Sequence, residues 1–233
     1  MMNKTLIVAG ASALLAASAD AAVVTSWNFN AANRAAVNAR GSTALVIGSA
    51  TVGFAAGSAF DTAPGTNRAA RIANFSTQAT QSGRRGMQFQ ANTNGFSFIS
   101  VGFALSGHAR SSRWGQFQYS TNGGRTYTVA GLSNAGRFRV KADGTFTRFA
   151  YDLSFADGVS DNGKFRFRIV AVKDPTSGGF IGANGAPMLG SAFWNLDRVL
   201  VTGTSNGSQA TPAPGAIALL AVAGAVGATR RRA

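Results

Sequence analysis

Cysteine and glutamate are both absent from the 233 residues, and His108 is the single histidine. Without cysteine there is no disulfide framework, thiolate zinc site, iron–sulfur cluster or thiol nucleophile. Without glutamate, any carboxylic general acid has to be an aspartate, and sites built on two histidines are excluded. Acids are scarce: eight aspartates stand against 22 basic residues, 18 of them arginine, for a formal charge of +14. No Walker loop or dinucleotide fingerprint occurs. What the chain does have is 29 glycines and 45% apolar residues, with only 13% charged. That is too apolar for a disordered chain and too poor in charged helix formers for a helix bundle.

The first 21 residues have the layout of a secretory signal. Lys4 supplies the positive start, Leu6 to Leu15 the apolar stretch, and Ala19-Asp20-Ala21 a small-residue cleavage site, with Ala17-Ser18-Ala19 as a second candidate. The apolar run is too short to span a bilayer. Near the other end, residues 204–211 form a polar linker. It leads into Pro212-Ala213-Pro214, then fourteen uncharged small or apolar residues, then Arg230-Arg231-Arg232. As a helix, residues 212 to 229 would extend about 27 Å, marginal against a hydrocarbon core of roughly 30 Å. The arginines after it fit the positive-inside bias. An ordinary helix packed on a domain would show a polar face, and residues 215–228 have none.

Pro212, Pro214, the apolar segment and Arg230, Arg231 and Arg232, on a chain with a signal peptide, resemble the PEP-CTERM sorting signal; Ala213 stands where that family usually carries glutamate. The resemblance covers residues 212–233. It implies recognition by a membrane-embedded exosortase after signal peptidase has acted. The implied address is the cell envelope, outer surface or extracellular matrix, with transient anchoring in the inner membrane.

Between these ends, residues 22–203 predict one all-β domain, an antiparallel β-sandwich flanked by a signal helix and a hydrophobic C-terminal helix. Strand patterns cover Thr25 to Asn30, Ala44 to Phe54, Phe96 to Leu105, Gln116 to Ser120, Thr145 to Phe155, Lys164 to Val172 and Ser191 to Thr202. Phe96 to Leu105 is apolar at both parities and predicts a strand buried on both sides. Asn94-Gly95, Asn122-Gly123, Asp143-Gly144, Asp157-Gly158 and Asn162-Gly163 supply turn residues suited to positive φ. The run Phe117-Gln-Tyr-Ser-Thr-Asn-Gly-Gly-Arg-Thr-Tyr127 resembles a hairpin of jelly-roll modules, and Phe193 to Gly203 resembles their last strand; many such exported modules are carbohydrate-binding-like.

Catalytic candidates are few. His108 follows a strong strand, which predicts a surface loop rather than a catalytic base. A hydrolase would need two aspartates, chosen from Asp152, Asp157, Asp161 and Asp197, but turn chemistry accounts for most of the aspartates. Asp157 and Asp161 could contribute to a structural calcium site, though no calcium motif is present, and no cofactor is expected. Without Lys4, Asp20 and Arg230–Arg232 the body keeps 18 basic and 7 acidic side chains, or +11. Arg137, Arg139 and Lys141 alternate along one strand, and Lys164, Arg166 and Arg168 along another, a cationic stripe if those strands lie on an outer face. Phe165 and Phe167 should then point inward, which argues against a base-stacking platform and against nucleic acid as partner. The sequence therefore predicts a non-enzymatic exported surface or matrix protein. The alternative is a carbohydrate-binding module for acidic exopolysaccharide, using Trp114, Trp194, Arg166 and Arg168.

Overall fold

The computed structural model describes residues 21–207 apart from positions 39, 63 and 64. The expected signal up to residue 20, and the sorting segment with Pro212, Pro214, Arg230, Arg231 and Arg232, lie outside the described residues. So do the two flanking helices expected from the sequence and most of the linker.

Eleven strands follow one another with only two single 3-10 turns among the described residues (Ala79–Gln81 and Ser133–Gly136). The strands are β1 (Ala22–Trp27), β2 (Thr43–Ile47), β3 (Thr51–Ala56), β4 (Arg68–Ala73), β5 (Gly86–Gln90) and β6 (Phe96–Gly107). They continue as β7 (Trp114–Ser120), β8 (Arg137–Arg139), β9 (Thr147–Asp152), β10 (Arg166–Val172) and β11 (Trp194–Ser205). One sheet has the order β3-β4-β11-β6-β9, with β1 also pairing with β11; the other has the order β2-β5-β10-β7-β8. Every pairing is antiparallel.

Alternation along the strands explains why two sheets form and why they stack. Met87 and Phe89, Phe117 and Tyr119, and Phe167 and Ile169 line one face of the five-stranded sheet, and all are buried. Val101, Phe103 and Leu105, with Trp194, Leu196, Val199 and Val201, line the facing side of the six-stranded sheet. Aromatic rings join the two layers: Trp27 meets Phe89 at 4.9 Å edge-on, and Phe117 stacks on Tyr151 at 4.3 Å. Such contacts add to the burial of large rings that dominates the core energetics. The antiparallel sandwich predicted from the sequence is the observed architecture.

Three expectations need correction. Ala44 to Phe54 is two strands, not one, because Gly48 and Ser49 take positive φ (62° and 40°) and turn the chain from β2 in one sheet to β3 in the other. The strand β6 is not simply buried on both sides: Phe98 is 67% exposed. Phe98 has φ 51°, and the pairing of β6 with β11 shifts register there, between Thr202 and Thr204. This bulge resets the alternation, so Phe96 and Ile99 both face inward although three positions apart. The Gly of Asn162-Gly163 does not take positive φ, whereas Asp161 does (50°); the other four predicted turn glycines do so at 74–80°.

Candidate functional site

The outer face of the five-stranded sheet is set by the same alternation that builds the core. On β10, Phe167 and Ile169 point inward, so Arg166 and Arg168 point outward. Register then fixes their neighbours: Arg166 lies opposite Gln90 and Ser120, and Arg168 lies opposite Gln88 and Gln118. The edge strand β8 adds Arg137 opposite Gln116 and Arg139 opposite Trp114. Three central strands thus present long planar amide and guanidinium groups side by side.

These groups are held by one another. Arg166 donates from Nε and Nη2 to Gln90 Oε1 at 3.1 and 2.8 Å. Arg168 Nε donates to Gln118 Oε1, Gln118 Nε2 to Gln116 Oε1 at 2.6 Å, and Gln116 Nε2 to the Ala135 carbonyl at 2.9 Å. These bonds orient the amides of Gln90, Gln116 and Gln118 and leave further guanidinium N–H groups for a ligand. The hairpin after β7 returns Tyr127 over the sheet, where the Arg168 guanidinium sits 4.1 Å from the ring centroid. Gly124 permits that close return: it has φ 83°, and a Cβ there would lie 2.9 Å from the Tyr127 hydroxyl. The Tyr127 hydroxyl is buried without a hydrogen-bond partner. Burial pushes its pKa up, against the pull of Arg168 and Arg166. Burial likewise pulls Arg168 below the ordinary arginine value, opposed by Tyr127. A guanidinium that has shed part of its water meets an anion at lower desolvation cost.

Beside this ladder runs a groove of about 490 Å³, lined among others by Ile47, Arg84, Gln88, Gln118, Arg168 and Val172, with no carboxylate in its lining. The arrangement can bind an extended polar ligand through bidentate hydrogen bonds, with preference for negative charge.

The predicted site residues divide. Trp114, Arg166 and Arg168 share this outer face. Trp114 is half-buried at the start of β7, and its indole N–H donates to Asp174 Oδ2 at 2.9 Å. Backbone N–H groups of Ser177 and Thr176 hold the Asp174 carboxyl below its ordinary value, with the indole contributing. Trp194 does not belong to the site. It is fully buried against Phe75 (4.6 Å), and its indole N–H donates to the Ser112 carbonyl at 3.1 Å. Parity explains the burial: Trp194 shares its face with Leu196, which is also fully buried.

Three of the four candidate aspartates accept structural hydrogen bonds. Asp161 accepts from the Gly95 N–H at 2.8 Å, and Asp152 accepts from Ser154 through both N–H and hydroxyl at 2.9 Å. Asp197 is buried and accepts from Ser58 N, Ser58 Oγ and Arg198 N, each at 2.7 Å. His108 Nδ1 accepts from the Arg110 N–H at 3.1 Å. Among the described residues, no three histidines or acids are grouped to hold a metal ion.

Sequence reasoning missed the glutamines and Tyr127. Only the outward parity of the glutamines was readable: Met87-Gln88-Phe89-Gln90 and Gln116-Phe117-Gln118-Tyr119 alternate as Arg166-Phe167-Arg168-Ile169 does.

No family model matches the chain, and no curated protein matches it. Among solved structures, the chain is similar to the N-terminal CBM22-1-CBM22-2 tandem domain of Paenibacillus barcinonensis Xyn10C. The identity is 11% and the TM-score 0.48, over 86% of this chain and 50% of that one. It is also similar to the CBM22-1-GH10 modules of Clostridium thermocellum xylanase 10B complexed with xylohexaose, at 12% identity and TM-score 0.44, over 82% and 30%. A third is the carbohydrate-binding module CBM6cm-2 of Cellvibrio mixtus lichenase 5A with cellotriose, at 9% and 0.36, over 78% and 99%. The chain spans half the length of the first and under a third of the second.

Proposed function

We propose that this chain is an exported, non-enzymatic polysaccharide-binding protein whose five-stranded sheet takes an acidic glycan on its outer face. The observation that carries the reading is the ladder of Gln88, Gln90, Gln116, Gln118, Arg166 and Arg168 on three adjacent strands, beside a groove without acids. Sugar hydroxyls suit amides that are already oriented, and uronate carboxylates suit guanidinium forks. The surplus of 18 basic over 7 acidic side chains in the body draws a polyanion toward the surface. Phe165 and Phe167 lie in the core, which leaves this face without exposed phenylalanines on β10 for stacking nucleic-acid bases. Strands that pass repeatedly from one sheet to the other support the jelly-roll-like reading of the fold.

Export rests on sequence: the signal-like start, and Pro212, Pro214 and Arg230–Arg232 in their PEP-CTERM-like order. Signal peptidase and an exosortase would process the chain, releasing or re-anchoring it at the envelope or in the extracellular matrix. Intact-mass measurement of the exported protein tests this; the expected C-terminus lies near Pro214, and a retained Arg230–Arg232 tail on the exported protein would contradict it.

The binding reading is tested by affinity electrophoresis of the full chain in gels containing alginate or starch. Retardation by alginate is expected to fall at least about tenfold in Arg168→Gln and in Gln118→Ala, the loss of one charge-assisted or bidentate contact. Circular dichroism should remain that of the parent. Equal retardation of parent and variants would count against this face as the site.

A further inference from the structure

The opposite side of the sandwich carries a second hollow, of about 230 Å³, on the outer face of the six-stranded sheet. Its floor is made of small residues, Gly102 and Ala104 of β6 and Ala150 of β9, with Leu200 of β11 alongside; its rim holds Phe60, Arg148 and Arg198. No carboxylate is among its lining residues.

The two arginines are fixed, and both are fixed through Phe60. The Arg148 guanidinium carbon lies 4.3 Å from the centroid of the Phe60 ring. Arg198 donates from Nη1 to the Phe60 carbonyl. Arg198 itself stands at a bulge of β11 with φ 46°, a left-handed backbone that arginine rarely adopts. The Asp197 carboxylate accepts from the Arg198 N–H with one oxygen and from Ser58 N and Oγ with the other, tying the bulge to the loop that carries Phe60.

That loop is pinned from other sides as well. Asn67 Nδ2 donates to the carbonyls of Ser58 (2.6 Å) and Asp61 (3.0 Å), and Asn30 Nδ2 donates to the Asp61 carboxylate at 2.7 Å. Gly57 has to be glycine, because a Cβ there would meet Asn67 Oδ1 at 1.7 Å. Phe60 nevertheless stays half-buried and outside the main hydrophobic core. A surface loop held by three side chains, and spent on positioning one ring and two cations, is a pre-organised arrangement of the kind binding sites use.

We propose that this hollow is a binding site for a single anionic sugar residue, its charged group between Arg148 and Arg198 and an apolar ring face on Gly102, Ala104 and Ala150. The volume lies below the range of about 300–1,000 Å³ that holds larger ligands, which suits one ring rather than a chain. Two like charges framing one small space favour an anion there. The apolar floor asks for a ligand with a C–H face, which a bare inorganic ion lacks. A ring carboxylate and a ring sulfate ester offer the same chemistry, and the test separates them.

The full chain is titrated with sodium glucuronate, glucose 6-sulfate, glucose or inorganic sulfate, and backbone amide shifts are followed by NMR. Shifts at Gly102, Ala104 and Ala150 are expected with one or both charged sugars, and the responding sugar identifies the anion. Arg148→Gln and Arg198→Gln should each weaken the response about tenfold. Ala150→Leu, which fills the exposed hollow without touching charge, should abolish it. Arg168→Gln on the opposite sheet should leave it unchanged, so this site stands or falls apart from the ladder. The proposal is overturned if those amides do not respond at tens of millimolar sugar. It is equally overturned if glucose or inorganic sulfate matches the charged sugars, or if Ala150→Leu binds as the parent does.

Discussion

Trp194→Ala is expected to lower the unfolding free energy by about 3–5 kcal/mol, the usual cost of emptying a large aromatic site in a packed core. Trp194 is fully buried, packs on Phe75, and pairs in register with Ile72 on one side and Gly107 on the other. Gly107 is part of the fit: a Cβ there would come within 2.4 Å of a Val140 methyl and 3.4 Å of the Trp194 ring. The alanine variant also leaves the Ser112 carbonyl without its indole donor. Urea unfolding followed by circular dichroism measures the loss. Glycan binding per folded molecule should be unchanged. A stability change under about 1 kcal/mol together with lost binding would return Trp194 to the surface role that its sequence context suggested.

Asp197→Ala is expected to cost about 2–4 kcal/mol, because three donors, Ser58 N, Ser58 Oγ and Arg198 N, lose their acceptor inside the protein. Asparagine should cost less but still measurably. Both carboxylate oxygens accept hydrogen bonds, whereas an amide supplies one accepting oxygen and one donor. The pH dependence has a definite sign. Burial raises the Asp197 pKa above its ordinary 3.8, outweighing the hydrogen bonds from Ser58 and Arg198 that lower it. In the window between 3.8 and that raised value, the folded state holds a proton that the unfolded state has released. The contribution of this group is therefore fully present below 3.8 and is lost as pH rises through the folded value. The stability gap between the parent and Asp197→Ala should widen on acidification from pH 7. A gap that narrows steadily would show that the carboxylate is stabilised as the anion.

Much of the fold was legible because alternation is a local signal. Phe117 with Tyr119, and Phe167 with Ile169, announced the core face of their strands, and Asn-Gly and Asp-Gly pairs announced the connections after β5, β7, β8 and β9. Strands β4 and β5 were not read, although Met87-Gln88-Phe89-Gln90 alternates; the other misses depended on backbone events without such a mark. Nothing in Phe96-Ser-Phe-Ile-Ser-Val101 says that Phe98 will take positive φ and reset the register, so the strand looked apolar on both faces. The bend at Gly48-Ser49 sits inside a stretch of small and β-branched residues that could equally have run on as one strand. In β11 the parity signal was available: Trp194 and Leu196 share a face before the bulge at Arg198, and Val199 and Val201 share it after.

The site was less legible than the fold. Arg166 and Arg168 were visible as outward residues, but their partners come from β5 and β7, which are remote in sequence and joined only by register. Glutamine carries no charge and no motif, so a row of four becomes a feature only when the sheet is assembled. Tyr127 depends on a glycine-rich hairpin folding back across the sheet, a tertiary event. The second hollow was illegible for the same reason: Phe60, Arg148 and Arg198 come from separate segments, and both arginines meet at Phe60, whose loop the buried Asp197 carboxylate ties to β11.

The most direct measurement is backbone-amide NMR of the full chain titrated with an alginate oligosaccharide. The account predicts saturable shifts at Gln88, Gln118 and Arg168, weakening as salt is added because surface charges are screened. Saturable binding that leaves those three amides unmoved would contradict it, and so would no binding at all.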